Sequence, residues 1–316
     1  MRSLKLSLPL LVVLVQPLAS QDRCQDATTL QVQAACLTMV DAAKAFHPLA
    51  GMIVSGGNPV LGTAATLGGF GHLGATLRVN AIKASLPNPD SAAQNPVPSS
   101  FDGYFPAPVV EASVGLYGGQ GGRGGLLSID GLASATLLPA SRVRGMSVDP
   151  DAPSIGDVAL GIGYGVRVGI LGGSFPVPAL SVSVMKRHLP RVQFGDMPGG
   201  DPADFSTDFH ATNWRAVAGF RVLFADVAAG LGVDHYTASA VIRFRDPPLL
   251  PKTVRLDLAD TRQVLFTNVG LTMGLAKFVF ELGYQTGTDQ SFSTIFSDFD
   301  PKAGHVFWGT GFRFNF

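Results

Sequence analysis

Four histidines, His188, His210, His235 and His305, are the side chains of this chain best suited to proton transfer. A histidine beside a serine and a polar orienting group can take a hydroxyl proton and drive acyl transfer. His188 and His210 could approach one another across neighbouring strands, and serines lie nearby. Neither Gly-x-Ser-x-Gly nor His-Glu-x-x-His occurs, so no nucleophile elbow and no zinc helix is encoded. The segment GDMPGGDPADFSTDF, residues 195–209, carries Asp196, Asp201, Asp204 and Asp208. Calcium takes several oxygen ligands, but this spacing does not match an EF-hand loop, and a solvated acidic loop is the plainer reading. The chain is read as a non-enzyme with no cofactor and no metal site.

A second set of charged residues is more regular. In DVALGIGYGVRVGIL, Val158, Leu160, Ile162, Tyr164, Val166, Val168 and Ile170 alternate with Ala159, Gly161, Gly163, Gly165, Arg167 and Gly169. A period of two is the mark of a strand with two unlike faces. Arg78, Arg215, Arg221, Lys277, Glu281 and Arg313 also stand on the polar side of alternating runs, and Glu111 and Asp130 are read with them. The stretch from Val158 to Ile170 spans 13 residues. That is about 40 Å of strand, or about 28 Å of height at a tilt near 45°, enough for an apolar band of about 25 Å.

The composition agrees. The chain has 316 residues, 46% hydrophobic and only 15% charged, with 38 glycines and 22 prolines. Past residue 20 no apolar run approaches the roughly 20 residues of a membrane helix. A hydrophobic chain without membrane helices fits a β-barrel, whose apolar residues occupy alternate positions. Net charge is zero, and no basic block points to nucleic acid.

Residues 1–20 have the form of a secretory signal: Arg2 and Lys5, an apolar core from Leu6 to Val15, then Pro17-Leu18-Ala19-Ser20 before a polar turn. Only Cys24 and Cys36 exist, and two cysteines in an exported chain most simply form one disulfide. A continuous helix would hold them about 18 Å apart, so pairing requires a fold-back near 26–29; two free thiols are the alternative. Residues 28–46 have helix-compatible composition, capped by Asp26 or Thr28, and SGGNPVLG at 55–62 breaks it.

Ten strands are expected, at roughly 72–85, 108–117, 126–138, 157–171, 179–194, 209–222, 226–245, 253–273, 276–286 and 305–316. Eight or twelve is the margin. The long eighth strand is the most doubtful, because its alternation changes phase between Asp257 and Val264. Long and short connections alternate, as in barrels with long external loops and short periplasmic turns. An even strand number puts both termini in the periplasm if residues 21–70 begin there. Phe224, Phe278 and Phe316 towards the turns, with Phe194, Phe209 and Tyr284 towards the loops, suggest two aromatic girdles.

The chain ends HVFWGTGFRFNF. Gly311, Phe314 and Phe316 resemble the closing strand of outer-membrane β-barrel proteins, where such a pattern is read by the barrel-assembly machinery; Gly309 stands where a polar residue is usual. The resemblance implies an all-β, antiparallel, up-and-down transmembrane barrel over 71–316 in the cell outer membrane. Its partners would be outer-membrane lipids and that machinery. Barrel enzymes known in that membrane are lipid hydrolases or acyltransferases, which keeps a lipid-modifying enzyme as a remote alternative. Asn58-Pro59, just ahead of the first strand, is similar to a motif in the N-terminal hatch of the long-chain fatty-acid transporter family, with Val60 where Ala is more usual. That likeness implies that 21–70 plugs the barrel; the alternative is a periplasmic tail beneath it.

Two functional readings follow. Passive passage of a small solute, hydrophobic if the hatch likeness holds, needs a path past residues 21–70. Glycines at 161, 163, 165, 169 and 219 would leave room, and the excess of lumen cations would give a mild anion preference. A structural or partner-binding barrel would instead have its lumen filled by paired charges.

Overall fold

The computed structural model describes residues 22–87, 100–120, 126–139, 146–173, 177–195, 197–198, 203–246, 251–288, 290–293, 300 and 302–316. The signal-like residues 1–20, together with Asp196 and Asp201, lie outside them. Two helices come first, α1 (Asp22–Gln25) and α2 (Leu30–Ser55). Twelve strands follow: β1 (Leu73–Pro87), β2 (Ser100–Tyr117), β3 (Ser128–Pro139), β4 (Met146–Val148), β5 (Ser154–Ile155), β6 (Val158–Gly172), β7 (Ala179–Phe194), β8 (Ala203–Val222), β9 (Ala225–Phe244), β10 (Lys252–Met273), β11 (Ala276–Gln285) and β12 (His305–Asn315). No helix among the described residues is long and apolar enough to cross a membrane.

Every long strand pairs antiparallel with its neighbours in sequence, β3 with β6 across the short β4 and β5, and β12 closes on β1. The result is a closed barrel of ten strands. The ten expected strands correspond one for one. β2 begins eight residues earlier than expected, at Ser100 instead of 108, because Pro106 and Pro108 read as breakers. They pair with Ala81 and Val79 of β1, while the β3 ladder starts only at Val109. Among the described residues β2 has no ladder on that side at the two prolines, so their missing N–H groups interrupt none.

Side chains alternate in and out with almost no interruption. Leu77, Ile162, Tyr164, Trp214, Phe220, Leu231, Leu265, Phe280 and Phe312 face outward and are exposed. A continuous apolar outer belt of this kind is a barrel wall built for lipid.

Strand β10, where the alternation changes phase, is single and unbroken, paired with β9 from Lys252 to Leu271. Its change of phase is an inversion of polarity within one regular strand. Val254 and Leu256 point inward and are buried, while Arg255, Asp257 and Thr261 point out. Further along, Leu265, Val269 and Leu271 point out and Arg262 and Asn268 point in. β9 inverts likewise, with Val227, Leu231 and Val233 outward below His235, Thr237 and Ser239. The wall rises above the lipid on this side. There water wets its outer face, and its inner face carries the apolar residues that receive α2.

α2 is buried over most of its length. Its first half, with Cys36, Val40 and Ala43, packs on Ala240, Ile242, Phe244, Val254 and Leu256. Ala50 and Val54 meet Leu189, Phe209, Ala211 and Tyr236, and Leu49, Met52 and Ile53 meet Ile82 and Phe266. A helix surrounded by partners needs no polar stripe, which is why it runs past Phe46 and through Pro48 to Ser55. Its N-cap is Thr29, whose hydroxyl accepts from the Val32 amide at 3.3 Å, rather than Asp26 or Thr28. Cys24 in α1 and Cys36 in α2 form the disulfide, with Cα atoms 5.7 Å apart; the chain folds back between the two helices, as the spacing required.

The direction of this segment differs from expectation. Both barrel-closing strands do lie at the short-turn end, where β1 starts and β12 stops. Residues 24–28, however, sit at the long-loop end, where Thr28 bonds Asp246 and Lys252 reaches the Asp26 carbonyl. The chain then runs down the inside of the strands and emerges at the turn end before β1.

Candidate functional site

Where α2 stops, the lumen turns from apolar to charged. Gly56 ends the helix at φ 58°, and a Cβ there would sit 1.6 Å from Arg78 Nη2. Only glycine serves, both for the left-handed turn and for the approach of the guanidinium. From this point the wall binds the backbone of the enclosed segment through charged groups. Arg215 donates Nε to the Gly57 carbonyl at 2.8 Å and Nη2 to the Gly56 carbonyl at 3.0 Å. The same guanidinium grips Asp234 through Nη1 at 2.5 Å and Nη2 at 3.0 Å. Glu281 accepts from the amides of Gly57 and Asn58 at 2.9 and 2.7 Å. Arg78 donates to the Asn58 carbonyl at 2.8 Å, and Asn80 to the Ile53 carbonyl at 2.7 Å. Charge-assisted hydrogen bonds of this kind are the strong ones.

Asn58 is the hub. Its Nδ2 donates to Asn268 Oδ1 at 2.7 Å and to the Thr63 carbonyl at 3.1 Å, and its Oδ1 accepts from the Val60 amide at 3.1 Å. That last contact closes an Asx turn over Pro59. Asn268 also donates to Glu281 at 2.7 Å. Asn213 links Ser55 Oγ at 2.9 Å to Asp234 at 2.6 Å and accepts from Arg187. Tyr236 donates to Asp234 at 2.7 Å and accepts from Gln285.

A second tier lies at the turn end. Arg167 pairs with Asp130 at 2.6 Å, and Asp130 accepts from the Leu67 amide at 3.2 Å. Thr66 and Ser128 share a hydrogen bond of 2.6 Å. Lys277 pairs with Asp226 at 2.6 Å, and Arg313 reaches the Leu61 carbonyl at 3.4 Å. Beside residues 63–67 a cavity of about 500 Å³ opens towards the turns, lined by Arg221, Asp226, Lys277 and Arg313 among others.

Of the nine charged residues expected in the lumen, Arg78, Glu111, Asp130, Arg167, Arg215, Lys277, Glu281 and Arg313 face inward and are buried. Arg221 is the exception. It ends β8 at the mouth, its side chain 65% exposed, and pairs with Asp226 at 3.2 Å. Asp226, Asp234 and Arg187 were missed. The first two stand at even positions of β9, opposite Val227 and Val233, so alternation alone could have found them; the Lys186-Arg187-His188 run concealed the parity of the third. With Asp226 and Asp234 included, the excess of lumen cations largely disappears.

The five glycines expected to leave room do not open space beside themselves among the described residues. A Cβ at Gly161 would meet Leu189 at 2.3 Å, at Gly163 Ser134 at 2.2 Å, and at Gly165 the Val184 carbonyl at 2.2 Å. At Gly169 it would meet Ser128 at 2.4 Å, and at Gly219 the Val227 carbonyl at 2.8 Å. The space is taken by side chains and backbone of adjoining strands. Glu111 is the loosest element, 3.6 Å from Arg78 and 3.9 Å from Arg187.

On α2, His47 is wedged against Phe209 and Tyr236. Burial, with the Arg262 charge nearby, pushes it down to about 4. Phe209 thus points inward and does not join a girdle, while Phe224, Phe278, Phe316 and Tyr284 are exposed on the outside. Gly311 faces the lumen against Arg78, with Phe314 and Phe316 outward. His188 and His210 are directly opposed on β7 and β8, facing out, with Nδ1 atoms 3.1 Å apart. His235 meets Thr261 at 3.0 Å.

Fold and lumen together define a closed, ten-stranded β-barrel with a lipid-facing wall and its own chain inside. Solved structures with similar folds are outer-membrane barrels. The outer membrane protease OmpT from Escherichia coli matches at 12% identity and a TM-score of 0.42, covering 78% of this chain and 97% of that one. Neisserial surface protein A matches at 10% identity and 0.31, covering 78% and 97%. The translocator domain of the autotransporter NalP from Neisseria meningitidis matches at 10% and 0.39, covering 77% and 88%. No protein-family model and no curated protein sequence matches the chain, so the likeness drawn from Asn58-Pro59 to the fatty-acid transporters has no support.

Proposed function

We propose that this protein is an exported outer-membrane barrel whose lumen is closed at rest by its own N-terminal segment, acting as a structural or partner-binding barrel. The observation that carries this reading is the row of hydrogen bonds from inward-facing side chains to the enclosed backbone, from the Ile53 carbonyl to the Leu67 amide. Residues 21–70 then act as a plug, delivered after a signal peptide is removed. Gly311, Phe314 and Phe316 serve as the signal for the barrel-assembly machinery, and the outer belt is solvated by outer-membrane lipids.

Passive passage of a small solute is the second reading. It is favoured by the cavity of about 500 Å³ at the turn end and by the irregular backbone after Gly56, which could shift without unfolding α2. Conductance of the purified, refolded full chain in a planar bilayer separates the two. The closed reading expects no steady steps from a barrel whose gel mobility changes on boiling. Steady, reproducible steps would overturn it in favour of passage, and Arg215→Ala would then be expected to raise their frequency.

A further inference from the structure

We propose that His188 and His210 form a two-imidazole site for a late first-row transition ion of the zinc, nickel or copper class, on the outer wall of the barrel. The pair is built into the ladder. His188 of β7 and His210 of β8 are register partners, so both Cβ atoms leave the sheet on the same face at the same height. Their Nδ1 atoms lie 3.1 Å apart and their ring centroids 4.4 Å apart. With metal–nitrogen bonds of about 2.05 Å, that separation corresponds to an angle at the metal of roughly 98°. This falls between the octahedral and tetrahedral values, so the spacing suits one ion held by both rings once each turns its lone pair towards it.

The lone pairs are available. Two Nδ1 atoms in hydrogen-bond contact can share only one proton between them, so at least one lone pair already points into the gap. When an ion binds, that proton moves to the Nε2 of its own ring, so both imidazoles stay neutral and both Nδ1 lone pairs face the metal. Imidazole nitrogen suits zinc, nickel and copper, with copper bound most tightly in the usual order.

The surroundings leave the remaining positions open. Both histidines are exposed, at the height where the outward face changes from Val182, Val184 and Trp214 to Lys186 and Thr212. Asp208, two residues before His210, bonds the Ser239 amide at 2.7 Å and Arg191 at 3.5 Å. Among the described residues no third histidine, cysteine or carboxylate completes a cluster. The site is therefore open, with two protein ligands and the rest supplied by solvent.

Copper quenching of tryptophan fluorescence tests it in the full chain, refolded in detergent and free of any histidine tag. Trp214 lies four residues from His210 on the same face of β8, about 13 Å away. The expected result is saturable quenching with a dissociation constant near the micromolar range, competed by zinc and nickel. His188→Ala or His210→Ala should weaken binding by about tenfold or more, while His235→Ala leaves it unchanged. Because these side chains face outward, the variants should keep the heat-dependent gel shift of a folded barrel. Equal affinity in the double variant, or no saturation below about 1 mM in the parent, would overturn the proposal.

Discussion

Arg215 shows what a single buried residue does here. It neutralises Asp234 and at the same time holds two carbonyls of the enclosed segment. Breaking one partner of a buried pair leaves an uncompensated charge and costs about 3–5 kcal/mol. Arg215→Met should lower the urea midpoint of the refolded protein accordingly, and Arg215→Met with Asp234→Leu should recover part of the loss. Gly165→Ala should also destabilise, since the new methyl meets the Val184 carbonyl at 2.2 Å and backbone cannot step aside. Gly274→Ala is a useful contrast. It meets no steric neighbour but still occupies a left-handed position at φ 63°, so its cost is that of the turn alone, about 1 kcal/mol.

His47 adds a pH dependence. Its folded value near 4 lies below the ordinary value of 6.5, so between them the folded state binds fewer protons than the unfolded one. Stability therefore falls as pH drops from 6.5 towards 4, with a slope of at most about 1.4 kcal/mol for each tenfold rise in proton activity. Thermal unfolding across that window should show a slope that His47→Gln reduces. An unchanged slope would assign the dependence to other groups.

At the scale of elements, α2 and the upper parts of β8, β9 and β10 explain one another. A helix that buries apolar residues along most of its length needs an apolar groove, and an apolar inner face on a barrel needs a filler. The Cys24–Cys36 disulfide fixes only the first turns of this pairing. A bridge closing a loop of this size stabilises by about 3 kcal/mol. Cys24→Ser with Cys36→Ser should lower the melting temperature while the barrel still forms, because the contacts from Val40 to Ile53 do not depend on the bridge. Loss of all heat-dependent gel mobility in that variant would mean instead that the helix must be stapled before the strands can close.

For the whole molecule, the consequential feature is the direction of threading. The segment enters at the long-loop end and leaves at the turn end, so with the loops outside the cell residues 24–28 face outward. An epitope inserted after residue 21 should be labelled by antibody on intact cells. Labelling only after the membrane is permeabilised would place that end in the periplasm and contradict either the threading or the orientation.

Much of this was written in local sequence. Strand number, most strand boundaries and the inward parity of Arg78, Arg167, Arg215 and Glu281 follow from a period of two, which any lipid-facing wall must repeat on every strand, and the disulfide follows from the count of two cysteines. The early start of β2 was hidden because proline is a breaker unless the neighbouring strand is absent, and only the ladder tells which. The inversion within β10 looked like a phase error because alternation records which residues are greasy, and not whether the greasy face meets lipid or a helix. Above the lipid that sense reverses. The sequence by itself determined a barrel of about ten strands with a stapled, helical N-terminal piece. Only the tertiary structure decided that this piece runs inside the barrel, and in which direction. Those contacts join Gly57 to Glu281 and Thr28 to Asp246, residues more than two hundred positions apart, and no local pattern carries information over that distance.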